Sequence, residues 1–197
     1  MSKTLPFRVE LKRKIVHLLS LFLPLIYSIL EFNIHFIILM IIITSLTLFI
    51  DLCRIKIKSF RKHLYYFIGS MIRQYENKGF LSSTYLIISF CLITLLFDKH
   101  VVVLSMIIAA LCDSVAAIIG QRYGRVTLIY KKTLEGSCSF FICSLVITSL
   151  YLFNCSYYLI LLISLFATLI ELFTPTEYDN LTLPILSAII IHYGIMI

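Results

Sequence analysis

The chain has 197 residues, of which 60% are hydrophobic and 14% are charged. Because soluble domains carry about 25% charged residues, this composition excludes a soluble globular protein and predicts an integral membrane protein. The formal net charge is +7, from 17 Lys and Arg residues against 10 Asp and Glu residues. In a membrane protein this excess indicates topology and contact with anionic lipid head groups, and it argues against a nucleic-acid partner.

Seven apolar runs follow one another, each near the length of about 20 residues with which an α-helix crosses a bilayer. They cover residues 15–30, 34–50, 81–97, 101–120, 136–153, 155–173 and 181–197. Backbone groups in lipid must be hydrogen-bonded internally, so we predict that all seven runs are helices. The first run lacks a small-residue cleavage pattern, so we expect a retained span rather than a signal peptide. The predicted fold is therefore an all-α membrane protein with a single domain over residues 1–197.

Lys and Arg residues are concentrated in three of the segments outside these runs. Residues 3–14, 54–78 and 122–132 contain 16 of the 17 cations, and Lys99 is the exception. If all seven runs cross the membrane, the three segments lie on one side of it. The positive-inside rule then predicts that the N-terminus and these loops face the cytoplasm. The many Ile, Lys, Tyr and Phe residues suggest a bacterial source, and hence a bacterial inner membrane.

Residues 55–77 have an amphipathic pattern of their own. Apolar residues recur three and four positions apart, while Arg61, Lys62 and Arg73 fall largely elsewhere on the helical wheel. This predicts a basic interfacial helix on the membrane surface. Arg73 and Glu76 are three positions apart and can pair on it. The helix can be an anchor, or it can shape a lipid entrance or contact a nucleotide.

An aspartate inside an apolar run is the most unusual feature, since a charge within a membrane is costly and usually functional. Asp113 shares one helix face with Ala116, Ala117, Gly120 and Gly124. These small residues permit close approach by another helix or by a ligand. Asp113 is thus either a polar anchor in a tight helix interface or a carboxylate for metal binding or general-base catalysis. The segment that follows it favours the second interpretation.

The basic loop after Asp113 leads into the next apolar run. Thr133 can cap the helix that starts there, with Glu135 in its first turn. A helix N-terminus beside the paired Lys131 and Lys132 is suited to bind an anion. The carboxylates of Asp113 and Glu135 can hold Mg²⁺ against phosphate oxygens, an arrangement typical of this cation.

Two further polar groups lie where runs are predicted to end on the same side of the membrane. Glu171 is near the end of the sixth run, and Asp179 and Asn180 precede the seventh. Asp or Asn at a helix start is commonly an N-cap, but this group can also complete a site shared with the other acids. Lys14 and His17, three positions apart, place basic groups at the start of the first run.

These motifs, in this order and at these spacings, resemble the CTP-dependent lipid kinases, the family of dolichol kinase, phytol kinase and yeast-type diacylglycerol kinase. The resemblance covers nearly the whole chain. Its parts are Arg13-Lys14-x-x-His17, Asp51-Leu-Cys-Arg54, Arg73-x-x-Glu76, Asp113-x-x-Ala116-Ala117-x-x-Gly120-x-x-x-Gly124, Lys131-Lys132-Thr-Leu-Glu135-Gly136-Ser137, Glu171 and Asp179-Asn180-Leu-Thr-Leu-Pro184. The chain departs from the family at Cys112, where Gly is frequent, and at Tyr178, where a second acid is frequent.

The resemblance implies phosphoryl transfer from CTP, with Mg²⁺ or another divalent cation, to the hydroxyl of a membrane lipid alcohol. The alcohol would be a polyprenol or dolichol, phytol or diacylglycerol. Such transfer depends mainly on positioning and charge neutralisation. The implied catalytic residues are Asp113, Glu135 and Lys132, and the implied metal ligands are Asp113, Glu135 and Asp179. The implied nucleotide-binding residues are Arg13, Lys14, Gly120, Arg122, Gly124, Lys131, Gly136 and Ser137, with His17, Arg73, Glu76, Glu171 and Asn180 as further site residues.

Two other functions compete with this interpretation. A phosphatidate cytidylyltransferase, which makes CDP-diacylglycerol, would share the membrane setting, the nucleotide and the metal. Its usual Lys-Asp pair in a longer basic motif near the C-terminus is absent from the sequence. A small non-enzymatic transporter would place polar groups near the bilayer midplane, whereas here they gather toward one end of the predicted spans.

Overall fold

The structure, a computed structural model, describes residues 6–77 and 79–196. Its helices are α1 (Phe7–Leu18), α2 (Phe22–Ile29), α3 (Asn33–Lys56), α4 (Lys58–Ile68), α5 (Ser82–Leu96), α6 (Lys99–Ile107), α7 (Asp113–Tyr123), α8 (Leu134–Tyr151), α9 (Tyr157–Phe173) and α10 (Asp179–Met196). These residues contain no β-strand, only an isolated bridge between Thr127 and Thr133. The all-α prediction is therefore confirmed. Lys3, Lys78 and Ile197, which entered the predictions above, lie outside the described residues.

Within the described residues, four helical segments are long and apolar enough to cross a membrane. Three are α3, α8 and α10, and the fourth is Lys99–Tyr123, in which a π-helical turn at Ile108–Cys112 joins α6 to α7. Helices α5 and α9 are apolar as well, but they have only 15 and 17 residues. The helices are thus those of a membrane protein with four candidate spans, and the number of seven spans stays a prediction.

The first predicted span, residues 15–30, is not one continuous helix. A 3-10 turn at Leu19–Leu21 separates α1 from α2. Pro24 accounts for this turn, because a proline ring has no N–H and clashes with the carbonyl four positions earlier, which here belongs to Ser20. The Ser20 hydroxyl donates a hydrogen bond of 2.7 Å to the carbonyl of His17.

Helix α4 is shorter than the interfacial helix predicted for residues 55–77. It ends at Ile68, and the chain continues through 3-10 turns at Gly69–Met71 and Gln74–Asn77. No residue of α4 is buried, and its Tyr66 and Phe67 side chains are largely exposed. A basic, peripheral helix with exposed aromatic rings is typical of a membrane surface.

The Lys99–Tyr123 segment forms the centre of the fold. Of its apolar window 67% is buried, compared with 17% for α3, 28% for α8 and 33% for α10. Its α6 part packs against α2 and α10, and its α7 part packs against α1 and α8. Asp113 follows the π-helical turn of this segment, and it therefore stands on the most buried of the candidate spans.

Two hydrogen bonds join the start of α10 to α5, and one of them uses a backbone carbonyl that a proline leaves free. Pro184 leaves the carbonyl of Asn180 without its helical donor, and Ser89 Oγ donates to this carbonyl over 2.9 Å. Asn180 Nδ2 in turn donates to the carbonyl of Ser82 over 3.0 Å. Membrane helices commonly satisfy the backbone groups freed by proline in this way. The bonds place Asp179 and Asn180 beside the N-terminus of α5.

Candidate functional site

One large cavity, with a volume of about 1220 Å³, lies among the helix ends described above. Its walls come from α1, the 3-10 turn and the start of α2, the turns between α4 and α5, the first two turns of α5 and the first turn of α8. They also come from α7, from the loop between α7 and α8, and from the facing ends of α9 and α10. Single small-molecule sites usually measure about 300–1,000 Å³, so this cavity has room for more than one ligand.

Most of the predicted site residues line this cavity, although they come from six separate stretches of the sequence. Those that do are Arg13, Lys14, His17, Arg73, Glu76, Asp113, Gly120, Lys131, Lys132, Gly136, Ser137, Glu171, Asp179 and Asn180. Arg122, Gly124 and Glu135 are not among its lining residues. The structure thus brings together one predicted set and leaves three of its members outside the cavity.

Asp113 lies at the contact between α7 and α1. Its carboxylate forms an ion pair with Lys14 Nζ, and its Oδ2 is 3.6 Å from His17 Nε2. Lys14 and His17 are three positions apart, so one face of α1 presents both groups to the same carboxylate. Asp113 is only 6% exposed, and a buried carboxylate requires compensation of this kind.

The π-helical turn before Asp113 also contributes to this contact. His17 Nε2 lies 3.3 Å from the carbonyl oxygen of Ala109, which belongs to that turn. A π-helical turn disturbs the regular hydrogen bonds of an α-helix, and such turns are frequent at functional sites. Here the turn presents a backbone carbonyl to α1 and sets the position at which α7 begins.

Lys132 connects the loop before α8 to α9 and α10. Its Nζ is 3.1 Å from Glu171 Oε1 and 3.1 Å from Asp179 Oδ1, and it also donates to the backbone carbonyl of Glu171. That carbonyl has no helical donor because Pro175 follows four positions later. Ser137 Oγ donates to Glu171 Oε2 over 3.3 Å. One ammonium group therefore holds two buried carboxylates from two helices.

A third polar cluster links α1 to the segment before α5. Arg13 Nη2 is 3.7 Å from Glu76 Oε1 and 3.4 Å from Ser82 Oγ. Glu76 also accepts hydrogen bonds from the backbone N–H groups of Arg73 and Ser82. Arg13 Nη1 is buried without a hydrogen-bond partner in the structure. A buried donor of this kind is rare and is often explained by a missing ligand or water.

Arg73 closes the same end of the cavity. Its Nη2 is 3.0 Å from Glu10 Oε1, and its Nη1 donates to the Tyr75 hydroxyl over 3.0 Å. Burial opposes the charge of this guanidinium, but Glu10 and Tyr75 outweigh that effect and raise the pKa of Arg73 above its usual value. Arg73 is therefore a permanent cation at the cavity.

The segment that carries Glu76 is held by a buried pair on α3. Arg54 and Asp51 are both fully buried, and Arg54 Nε donates to Asp51 Oδ1 over 2.7 Å. Arg54 also donates to the backbone carbonyls of Glu76 and Gly79. Asp51 Oδ2 accepts from the Leu81 N–H over 2.8 Å, and it also accepts from the Thr84 hydroxyl. This pair therefore orders the loop without lining the cavity.

The predicted small-residue face of α7 is a close helix crossing. A Cβ atom placed on Gly120 would lie 2.6 Å from Thr133 Oγ1 and 3.3 Å from Gly136 Cα. On Gly124 it would lie 2.5 Å from Thr133 Cγ2. Thr133 caps α8 by accepting a hydrogen bond from the Gly136 N–H over 3.2 Å. The three glycines thus let α7, Thr133 and α8 pack in contact.

The loop before α8 turns Glu135 away from Asp113. Glu135 Oε1 accepts a hydrogen bond of 2.9 Å from the backbone N–H of Arg125. Tyr130 and Lys131 adopt left-handed conformations, with φ of 54° and 64°. Non-glycine residues in this region are strained, and such strain often occurs at functional sites. The left-handed turn lets Tyr130, Lys131 and Lys132 line the cavity together.

Oxygen ligands suit Mg²⁺, and the carboxylates of Asp113, Glu171 and Asp179 all line the cavity. Each of them, however, already pairs with a lysine. In the described part of the chain, no three His, Cys, Asp or Glu side chains are grouped so that they can hold a metal ion. The predicted set with Glu135 is not assembled. The carboxylates therefore suit a cation that arrives with phosphate groups rather than a resident metal.

The charges around the cavity are nearly balanced among the described residues. The cations are Arg13, Lys14, Arg73, Lys131 and Lys132, and the acids are Glu10, Glu76, Asp113, Glu171, Glu177 and Asp179. A polyphosphate bound here would meet cations and anions in similar number. It would therefore need a further cation of its own, and a divalent metal ion bound to the polyphosphate would supply one.

Several important residues were not among the predicted site residues. Glu10, Tyr75, Ser82 and Tyr130 line the cavity, and Arg54 positions one of its walls. Glu10 was detectable as an acid within a basic segment. Arg54 was part of the Asp51-Leu-Cys-Arg54 motif, although it was not predicted as a site residue. Tyr75, Ser82 and Tyr130 contribute through contacts with distant parts of the chain, which no local pattern reveals.

The chain is similar to an uncharacterized protein of Rickettsia prowazekii (strain Madrid E). The two are 33% identical in an alignment of 192 residues, and the match covers 93% of each chain. No protein-family model matches the chain. No solved structure matches it either.

Proposed function

The chain belongs to one family with the uncharacterized Rickettsia prowazekii protein, and from its cavity we propose that it is a kinase of membrane lipid alcohols. The phosphate donor is CTP, and the acceptor is the hydroxyl of a polyprenol or dolichol, of phytol or of diacylglycerol. The resemblance of its motifs to CTP-dependent lipid kinases supports the choice of donor and acceptor.

A single observation carries the proposal: one cavity combines buried, paired charges with apolar walls. Lys14, Asp113, Lys132 and Asp179 lie in its polar part, and side chains such as Leu23 line the rest. A polyphosphate and the hydroxyl end of a lipid can meet in such a space. The function of a transporter or of a structural protein would not require these charges to lie together beside one cavity.

The cations of the cavity suit a phosphoryl-transfer reaction. Lys14 and Lys132 each pair with a carboxylate, and each can exchange a carboxylate for a phosphate oxygen. Positive groups that are already positioned and desolvated stabilise the charge that spreads over the transferred phosphoryl group. The unpartnered Nη1 of Arg13 is a further donor available to a phosphate.

Asp113 is the group we assign to the acceptor. The lipid oxygen attacks the γ-phosphorus, the bond from the γ-phosphorus to the bridging oxygen breaks, and CDP leaves. The hydroxyl proton passes to the Asp113 carboxylate once Lys14 has turned to the phosphates. His17, beside Asp113, keeps that carboxylate in position, and general-base assistance of this type is commonly worth about 10²–10⁴-fold.

Magnesium enters as part of the nucleotide substrate. Asp113 and Asp179 are the cavity carboxylates that would hold a metal-bound nucleotide. The metal would neutralise phosphate charge, which the nearly balanced cavity does not do by itself. The lysines released from the carboxylates would then face the phosphate oxygens.

We also propose the topology that such a reaction requires. Seven segments cross a bacterial inner membrane, with the shorter α5 and α9 and the broken α1–α2 unit among them. The N-terminus, the α4 segment and the loop before α8 face the cytoplasm, where CTP is available. Anionic lipid head groups contact the basic face of α4.

The experiment that tests the function uses membranes containing the full chain and nucleotides labelled at the γ-phosphate. CTP and ATP are each offered with a panel of polyprenols, phytol and diacylglycerol. We expect label from CTP in at least one lipid product, with CDP released. Label in none of the lipids would contradict the kinase. A product labelled from α-labelled CTP, with release of pyrophosphate, would indicate a cytidylyltransferase instead.

A further inference from the structure

Three apolar residues both line the cavity and are more than half exposed. They are Val16, Leu19 and Phe22, with exposures of 53%, 56% and 61%. A side chain that belongs to both the cavity wall and the outer surface marks a place where the cavity opens. This opening lies on α1, the 3-10 turn and α2, and all three of its side chains are apolar. Such an opening suits a hydrocarbon chain better than a polar ligand.

The cavity has a second opening of different character. Gln121, Tyr130, Lys131, Thr176 and Glu177 also line it and are exposed. These residues come from the end of α7, the loop before α8 and the loop before α10. Their polar groups suit a ligand that comes from water. The cavity is thus reached from two different solvents, with the buried charges between the two openings.

The cavity wall changes from polar to apolar in the same direction along two helices. On α1 the lining begins with Glu10, Arg13 and Lys14 and continues with Val16 and His17. Beyond α1 it passes through Leu19 and Ser20 of the 3-10 turn to Phe22 and Leu23 of α2. On α5 it begins with Ser82 and Ser83 and continues one turn later with Leu86 and Ile87. Both helices start at the polar end, so an amphiphile between them can lie in one orientation only. Its polar group lies beside His17 and Asp113.

At the polar end, ion pairs fasten the two sides together. Arg13 pairs with Glu76, and Arg73 pairs with Glu10. These bridges tie α1 to the segment that leads into α5, so a ligand cannot leave easily between them. The apolar opening at Leu19 and Phe22 is the route that remains for a hydrocarbon chain.

We propose that Val16, Leu19, Phe22, Leu23, Leu86 and Ile87 form an apolar arm that binds the hydrocarbon chain of the acceptor directly from the bilayer. This inference rests on the proposed function, because it assigns the acceptor of the same reaction to a place in the cavity. A hydrocarbon chain in the bilayer is already shielded from water, so its transfer into the arm contributes little hydrophobic free energy of binding. The arm therefore contributes mainly by orienting the hydroxyl.

The test blocks the arm from its α5 side. Ile87→Trp adds bulk to the wall opposite α1, and Leu23→Trp does so from α2. We expect either variant to lower kcat/KM for a long-chain alcohol by about tenfold or more, as steric changes in an apolar pocket commonly do. The KM for CTP should stay at the wild-type value, and the kcat/KM for a short-chain alcohol should fall by a much smaller factor than that for the long-chain alcohol.

The matched control is Leu92→Trp, on the same helix as Ile87 but 40% exposed and outside the cavity lining. It should leave the use of long and short alcohols unchanged. If Ile87→Trp and Leu23→Trp reduce both classes of alcohol equally, or if Leu92→Trp acts as they do, the arm is not the chain site. Retained short-chain turnover shows that a variant is folded.

A second measurement does not depend on catalysis. A radiolabelled long-chain alcohol with a photoreactive diazirine at the far end of its chain is irradiated with the wild-type protein in vesicles. We expect crosslinks to peptides of α2 and α5, and their loss in Ile87→Trp. Crosslinks elsewhere would overturn the arm even if the protein is a kinase. Crosslinks at the arm would uphold it even if no phosphorylated lipid is found.

Discussion

The charged side chains at the centre of this cavity are buried, and each is paired with a group of opposite charge. The side chains of Lys14 and Asp113 are 11% and 9% exposed, and those of Lys132 and Glu171 are 9% and 8% exposed. Desolvation usually offsets the attraction within such pairs, so they are a weak source of stability. Under the proposed function their value lies in binding, because each lysine would already be positioned and dehydrated when a phosphate arrives.

We predict that Asp113→Asn abolishes phosphoryl transfer while the protein still inserts into the membrane. Asparagine keeps the size of the side chain but cannot accept the hydroxyl proton or hold a metal-bound nucleotide. The expected loss in kcat is about 10²–10⁴-fold, the usual contribution of a general base. The measurement is turnover of γ-labelled CTP with the best alcohol, and near-normal turnover would contradict the assignment.

Two further variants separate chemistry from folding in this test. Asp98→Asn changes an exposed acid outside the cavity, and it should retain full activity. Removing one partner of a buried pair can cost about 3–5 kcal/mol, so Asp113→Asn also lowers stability. Lys14→Met combined with Asp113→Asn should restore thermal stability in detergent without restoring turnover. Recovery of both together would mean that Asp113 has a structural role only.

Among the helices, the crossing of α7 and α8 is the contact that brings Asp113 and Lys132 into one cavity. We predict that Gly120→Ala destabilises the protein by about 1–3 kcal/mol, the usual cost of overpacking. The new Cβ would lie 2.6 Å from Thr133 Oγ1. Alanine gains up to about 1 kcal/mol in helix propensity over glycine, so a net loss requires a real clash. Thermal unfolding in detergent measures it.

The control for this crossing is Gly79→Ala, whose Cβ would meet only the Tyr75 carbonyl at an ordinary 3.6 Å. It should change the unfolding temperature little. Thr133→Ala removes the clashing oxygen but also the cap of α8, which costs about 0.5–2 kcal/mol. The double variant with Gly120→Ala should therefore be less destabilised than the sum of the two single variants. Simple additivity would show that the new methyl group does not clash with Thr133.

The helices were predictable where a long apolar run decides the outcome, as for α3 and α10. The break at Leu19–Leu21 was signalled by Pro24, but the apolar residues around it concealed the signal. The end of α4 was not predictable, because Met71 and Ile72 continue the apolar period beyond Ile68. These two residues line the cavity rather than extend a helix. Arg54, from α3, holds the segment that follows, and a contact between distant residues leaves no local pattern.

The cavity residues were largely predictable for a different reason. Charges are rare in apolar runs, so the sequence identified Asp113 and Glu171 as candidate site residues. Glu135 was expected beside Asp113 because the two residues lie on consecutive predicted helices, on either side of one basic loop. Its carboxylate instead accepts a hydrogen bond from the backbone N–H of Arg125, a contact across the loop before α8 that no motif indicates. Spacing along the chain thus identified the helices that meet, but not the direction in which each side chain points.

In the whole molecule, the three basic segments of the sequence converge on one cavity. Arg13 comes from the first, Arg73 from the second and Lys132 from the third. Lys99, the cation predicted on the opposite side, donates instead to the carbonyl of Leu30 over 2.7 Å, at the junction of other loops. The cavity cations are thus separated from Lys99, as the positive-inside rule requires if the cavity faces the cytoplasm.

We therefore predict the sidedness of individual positions. Lys62→Cys on α4 and Arg122→Cys after α7 should face the cytoplasm, whereas Asn154→Cys between α8 and α9 should face the other side. All three positions are exposed. Each cysteine is placed in a chain whose six natural cysteines are replaced, with retained lipid phosphorylation as the check on folding. A membrane-impermeant maleimide applied to intact spheroplasts should label Asn154→Cys alone, and permeabilisation should expose the other two. Labelling of Lys62→Cys or Arg122→Cys before permeabilisation would place the polar opening outside the cell and separate it from the supply of CTP.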